Sequence, residues 1–188
     1  SGDEKNNIPK DEESIAIWKH LFQEKGIETK EGTHIFAYDS KKNWWSRSGV
    51  PENMPAGEPG GPDSEVFFEF TQVEHDPAFG KNCHPNCDCG RFLEIGNSVF
   101  MEYKKKEDGS FDKLTQRNVD FGGGLERITA AVNKDADVFK IDTLAAVIAT
   151  IEELSAKKYG DDLMSFRIVA DHIRGAALMI GDGVLPSN

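Results

Sequence analysis

Val119-Asp120-Phe121-Gly122-Gly123-Gly124-Leu125-Glu126-Arg127 joins two periodicities. Before it, Gln116 to Asp120 continues an extended stretch. After it, Leu125, Ile128 and Val132 share one helical face, which predicts a helix over 125–133. A strand thus ends in an acid, glycines turn the chain, and a helix opens with Glu126 and Arg127. Glycines let backbone come close to a flat or charged ligand. A first-turn arginine can lay its planar guanidinium on a purine or hold a phosphate. On spacing alone, a glycine-rich connection with a surface Glu-Arg pair fits the same residues.

Working upstream, RFLEIGNSVFMEY (91–103) and EVFFEFTQV (65–73) read as strands, with an exposed turn at KKKEDGSFD (104–112). PENMPAGEPGGPD (51–63) is too rich in breakers for helix or sheet and reads as a loop. Thr33 to Tyr38 reads as a short strand. Before it, Asp11 caps a helix carrying Ile15, Trp18 and Phe22, and Gly26 stops it. Downstream, a helix opens at Asp142 or Thr143, carries Leu144, Val147, Ile151 and Leu154, and ends by Gly160. Another runs from Ser165 to Ile180, with Phe166, Val169, Ile173, Ala177 and Ile180 inward. Strands and helices are segregated, without the βα alternation of a doubly wound parallel sheet, so the class is α+β.

The 188 residues carry a formal net charge of -11 and are 38% hydrophobic. No run nears the roughly 18 consecutive apolar residues of a membrane span, and Ser1 to Lys10 lacks a signal-peptide core. A soluble, cytoplasmic protein without membrane contact is expected. The acidic balance argues against strong non-specific RNA binding but allows a local basic patch. The three cysteines, Cys83, Cys87 and Cys89, lie in one loop. This clustered odd set suggests a thiol-rich metal site rather than a disulfide framework. His84 is expected to complete a tetrahedral Zn2+ site, with His75 as the other nearby histidine and three reduced thiols as the alternative.

GGGLER resembles motif 3 of class II aminoacyl-tRNA synthetases, and VDFGGGLERI is similar to its form in the alanyl-tRNA synthetase family. FLEIGNSVFMEY resembles that family's strand before motif 3. GPDSEVFFEF resembles its Gly-Pro-rich segment ending in Ser-Glu, and RIVADHIRGAALMIGDGVLPSN its helical region. The resemblance runs from Asn43 to Asn188; the first forty residues match loosely, as the helix after motif 2. It implies a partial antiparallel sheet of the class II synthetase kind within residues 30–130, with helices after it. It also implies L-alanine, ATP and tRNA(Ala) as substrates, with Mg2+ as cofactor. Alanine attacks the α-phosphate of ATP, and the alanyl-adenylate then passes its acyl group to the terminal adenosine of tRNA.

Residue by residue, the resemblance gives Asp120 the ammonium of alanine, Trp45 a wall of the alanine pocket, and Asn97 a hydrogen bond to substrate. Gly96 stands where the family usually has tryptophan, which leaves room beside the site. Glu94 becomes a magnesium- or ATP-side carboxylate, and alternation groups it with Phe92 and Gly96 on one face. Arg127 stacks on adenine, while Gly122 and Gly124 bring backbone to the nucleotide. Asn188 reads the G·U wobble pair of the acceptor stem, and Arg174 meets phosphate. Blander roles stay open: a helix-start acid at Asp120, a backbone-bonded Asn97, an edge acid at Glu94, a salt bridge at Arg174.

Motifs 1 and 2 have no counterpart here, and the chain starts Ser1-Gly2 without methionine. The expectation is the second half of an aminoacylation domain (1–134) plus the start of a tRNA-recognition region (135–188). Such a piece would be inactive alone, with an exposed sheet edge and an open oligomeric state. The alternative is a non-catalytic synthetase-like protein that binds RNA or a partner.

Overall fold

In the computed structural model, which describes residues 2–186, the chain forms two compact units that divide between Gly124 and Leu125. The first opens with helix α1, Glu12–Glu24. The Asp11 side chain accepts from the Ser14 amide at 2.9 Å, satisfying one of the helix's orphan donors. At the other end Gly26 takes φ +73°. Its amide bonds the Gln23 carbonyl, and the Ile27 amide reaches back to Phe22. This reciprocal closure needs a left-handed residue, which glycine adopts without a Cβ clash.

A four-stranded antiparallel sheet follows, in the order β1 (Trp44–Ser46), β2 (Pro59–Glu69), β3 (Phe92–Lys105), β4 (Phe111–Gly123). The hairpin expected after Tyr103 is there, but two other readings need correction. Thr33 to Tyr38 is not a strand. Gly32 at φ +77° and the Thr33 and His34 amides, both bonded to the Lys30 carbonyl, close a tight turn. The Tyr38 amide is then taken by the Asn43 side chain at 3.0 Å. Conversely, the breaker-rich stretch from Pro59 to Asp63 does enter the sheet, opening β2. Its composition serves close approach: a Cβ on Gly61 would lie 1.7 Å from the Phe100 carbonyl oxygen. Glycine is the residue that lets β2 and β3 run together there.

Trp44 packs with Ile8, Met54 and Tyr103, and Phe111 closes over them. The Trp44 ring meets Tyr103 at 6.0 Å and Phe111 edge-on at 5.6 Å. Burying each such side chain contributes roughly 1.5–3 kcal/mol. Among the described residues β4 has one hydrogen-bonded neighbour, with Val119 and Phe121 68% and 66% exposed.

The second unit holds α2 (Leu125–Asn133), α3 (Asp142–Ser155) and α4 (Leu163–Gly181). Ile148, Phe166 and Ala170 form its centre, with Val147, Ile151, Phe139 and Tyr159 against them. The expected inward face of α4 is rotated. Phe166 and Ala170 are buried, while Val169, Ile173 and Ile180 are 44%, 56% and 55% exposed. α3 meets α4 through an i, i+4 pair whose small member, Ala170, lets the helices close. The larger apolar residues further along face solvent. The apolar residues of α2 do likewise: Leu125 and Val132 are 72% and 76% exposed, while Ala130 and Ala131 are buried. α3 stops at Ser155, ahead of Gly160, because Ala156 turns left-handed at φ 55°.

Gly61→Ala should cost about 3 kcal/mol or unfold the chain, because backbone blocks the new methyl. Gly175→Ala, exposed within α4 and facing open space, should stabilise by about 1 kcal/mol. Urea unfolding of both variants measures the contrast.

Candidate functional site

The site grows from strand register. β2 and β3 pair Asp63 with Val99 and Glu65 with Asn97. β3 and β4 pair Asn97 with Gly122 and Val99 with Asp120. Directly opposed residues share a face. Asp63, Glu65, Asn97 and Asp120 therefore stand on one side of the sheet. In β1, Trp45 lies opposite Gly61, in alternation with Asp63, and is 39% exposed. Trp44 belongs to the core, which separates the roles of the two tryptophans.

Glu94 needs a correction of detail. The register slips between Val66↔Gly96 and Phe67↔Glu94, leaving Ile95 as the extra residue. An extra residue inverts the facing of the strand beyond it. Glu94 therefore shares the face of Asn97, and Gly96 the opposite one. Nor is there empty room at Gly96: a Cβ there would meet the Phe121 ring at 3.1 Å. Phe121 fills the space.

Asp63 is the centre that sequence reading passed over. It is only 8% exposed. Asn97 Nδ2 donates to its Oδ2 at 3.1 Å, and Asn43 Nδ2 lies 3.4 Å from Oδ1. Burial pushes its carboxyl above the ordinary 3.8; the two amides pull it back, and nearby Glu94 pushes it further up. A carboxylate can only accept, so Asn97 must turn its NH2 toward Asp63. That fixes the amide and leaves its Oδ1 buried, with no partner among the described residues. Such an orphan acceptor suits a ligand's N–H. The sequence signal was an acid between Pro62 and Ser64, hidden by the surrounding breakers.

Beside this centre lies a cavity of about 270 Å³. Trp18 and Phe22 of α1, Phe36, Tyr38, Glu65 and Asn86 line it, with Asn43 and Asp63 at its wall. Trp45, Asn97 and Asp120 do not line it. The Asp120 side chain is exposed, and its Oδ1 accepts from the Phe121 amide at 3.0 Å. Gly122 is open to solvent, with no atom within 4 Å of an added Cβ. The Gly124 amide bonds the Ile95 carbonyl at 3.3 Å.

In the second unit, Arg127 sits half-buried in the first turn of α2. Arg174 of α4 pairs with Glu126, an ion pair between helices rather than within one. Asn188 lies outside the described residues.

The cysteines gather. His75, Cys83, Cys87 and Cys89 place four ligand atoms within 4.8 Å of one another. The histidine among them is His75 and not the expected His84, which turns away, its Nδ1 2.9 Å from the Tyr38 hydroxyl. The hydrogen bond with His75 holds the Cys89 thiol down at about 6, while burial and Cys89 push Cys83 up to about 11.

A family model described as class II (A) tRNA synthetases matches residues 6–188. Among similar proteins, the alanine–tRNA ligase of Treponema denticola is 40% identical over 97% of this chain and 28% of its own length. That of Treponema pallidum is 39% identical over 100% and 29%. That of Petrotoga mobilis is 36% identical over 95% and 19%. The chain thus spans less than a third of the length of these relatives.

Because folding raises the Asp63 value, the native chain holds a proton that the unfolded chain releases. Its contribution to stability should fall as pH rises from 3.8 through the folded value, and be lowest above it. Asn97→Ala removes the closer amide donor and should raise the Asp63 value further. A carboxyl-carbon NMR titration reads it; an unchanged value would mean the bond does not form in solution.

Proposed function

This chain belongs to the class II (A) tRNA synthetase family, and on that footing we propose that it carries part of an alanine-activating site. The reaction is ATP-dependent formation of alanyl-adenylate, followed by transfer of alanine to tRNA(Ala). The observation that carries this reading is the Asn97 amide. Asp63 locks it, its acceptor is unsatisfied among the described residues, and it is in register with the strand that bears Asp120 and Gly122.

The chemistry asks the protein mainly to position and neutralise. An alanine carboxylate oxygen attacks the α-phosphorus of ATP, and the bond to pyrophosphate breaks. The terminal adenosine hydroxyl of tRNA then attacks the acyl carbon, and AMP leaves. In this assignment Asp120 holds the alanine ammonium, a charge-assisted bond roughly twice as strong as a neutral one. The Asn97 Oδ1 accepts a second N–H, and Trp45 walls the pocket. Gly122 and Gly124 bring the backbone to the nucleotide, and Arg127 stacks on adenine.

Glu94 fits Mg2+ because the slip at Ile95 turns it to the Asn97 face, and carboxylate oxygen is the donor magnesium prefers. Bound there, the ion would neutralise phosphate charge. Asn188 and Arg174 are assigned to the acceptor stem; Arg174 would exchange Glu126 for phosphate. The same assignment makes residues 1–134 the later part of the aminoacylation domain and 135–188 the start of the tRNA-recognition region. Among the described residues, no helix is long and apolar enough to cross a membrane.

The arginine that clamps the α-phosphate belongs to motif 2, which these residues lack. Alanine-dependent exchange of pyrophosphate into ATP should therefore be absent for the chain alone. It should appear when the chain is joined to an upstream segment supplying motifs 1 and 2. In the active form, Asp120→Asn should lower kcat/KM for alanine about 100-fold, or about 2.7 kcal/mol. Full activity in that variant would remove Asp120 from the site. No activity in the extended protein would favour a non-catalytic RNA- or partner-binding role.

A further inference from the structure

The connection between β2 and β3 has almost nothing apolar to hold it. Across residues 71–90, Cys87 alone is buried, and Phe79 is 49% exposed. Its base is closed by Arg91, whose guanidinium bonds Glu69 at 2.8 Å and the Val73 carbonyl at 3.2 Å. One short 3-10 turn, Pro77–Phe79, is its regular structure. A loop of that length within a compact unit needs another source of order. A candidate lies where His75, Cys83, Cys87 and Cys89 converge.

We propose that these four residues form a structural zinc site that folds the β2–β3 loop. Three separate observations support it. The first is donor geometry. Cys83 Sγ lies 3.6 Å from Cys89 Sγ, and Cys87 Sγ 3.6 Å from His75 Nδ1. A tetrahedron with Zn–S bonds of about 2.3 Å has edges of about 3.8 Å. Two of the six edges are already near that length, and all four donor atoms lie within 4.8 Å of one another.

The second is the histidine tautomer. His75 Nε2 is 2.8 Å from the Gly80 carbonyl oxygen. A carbonyl only accepts, so Nε2 carries the proton and Nδ1 presents its lone pair to the thiols. Zinc-binding histidines are oriented in this way, by an acceptor held against the far nitrogen. The alternative ligand, His84, is engaged by Tyr38 instead.

The third is charge. Three thiolates and one Zn2+ leave a net charge of -1. Arg91 lies close enough to Cys83 and Cys89 to interact electrostatically with both. The loop that zinc would fix also carries Pro85 and Asn86 into the cavity wall beside Glu65. The metal would thus set the shape of that wall without touching a substrate. The zinc site is independent of the aminoacylation reading and survives its failure.

The test is metal content and spectroscopy of the chain purified under reducing, chelator-free conditions. The expected result is one zinc per chain by elemental analysis. Reconstitution with Co2+ should give the intense visible bands of a tetrahedral thiolate site. His75→Ala should weaken Co2+ binding beyond the about 10–100-fold typical of losing a group that only supports a ligand. His84→Ala should leave it intact. His75→Cys should keep the metal and shift the bands toward a four-sulfur spectrum, which covers the case in which the alanine variant fails to fold. Three titratable thiols with neither zinc nor cobalt bound would overturn the site. So would a Cys83–Cys89 disulfide in the purified chain, or loss of metal on His84→Ala equal to that on His75→Ala.

Discussion

A carboxylate taken out of water between two side-chain amides organises the sheet face of this protein. Asp63 would be costly to bury alone, and Asn43 and Asn97 offset that cost by donating to its two oxygens. The bonds tie three segments together. Asn43 leads into β1 and also holds the Tyr38 amide, Asp63 lies in β2, and Asn97 lies in β3. Because Asp63 can only accept, it dictates which way Asn97 points. An amide fixed in this manner presents its remaining acceptor as a rigid feature. Side chains held so are better recognition groups than mobile ones, because little entropy is lost when a ligand binds.

The strand pairing that brings these residues together depends on two local departures from regularity. Gly61 allows β2 and β3 to approach where any side chain would meet the Phe100 carbonyl. The extra residue at Ile95 then reverses the faces, turning Glu94 toward Asn97 and Gly96 toward Phe121. Without the slip, Glu94 would stand on the far side of the sheet. Bulges of this kind are recurrent next to functional sites, where they re-aim a side chain.

Beyond the sheet, ionic and ring contacts replace a large core. In the second unit Arg167 donates to the Tyr159 hydroxyl at 2.8 Å and pairs with Asp137 at 3.1 Å, and the hydroxyl in turn donates to Asp137. Asp137 also caps the short turn before α3, accepting from the Phe139 amide. The network fixes the turn against the start of α4. The apolar residues in the later part of α4 face solvent, so α3 and α4 meet along a narrow seam at Ile148, Phe166 and Ala170.

Local sequence sufficed for the helices, the hairpin after Tyr103 and the family. Asp11, Gly26 and the segment from Asp120 to Arg127 carry their instructions in caps, left-handed turns and periodic apolar residues. The cysteine loop and the strand from Phe92 onward were marked in the same way. Asp63 was not, because an acid among glycines and prolines reads as a loop until a partner strand is placed beside it. Glu94 was grouped with Gly96, because alternation holds only where no extra residue intervenes. His84 was taken as the fourth ligand ahead of His75, because the direction of a ring depends on which acceptor lies behind it. Val169 and Ile173 were read as inward on α4, because helical periodicity defines a stripe but not which edge of it a neighbour covers. In each case the choice was made by a contact between residues far apart in the chain, which spacing along one segment does not encode.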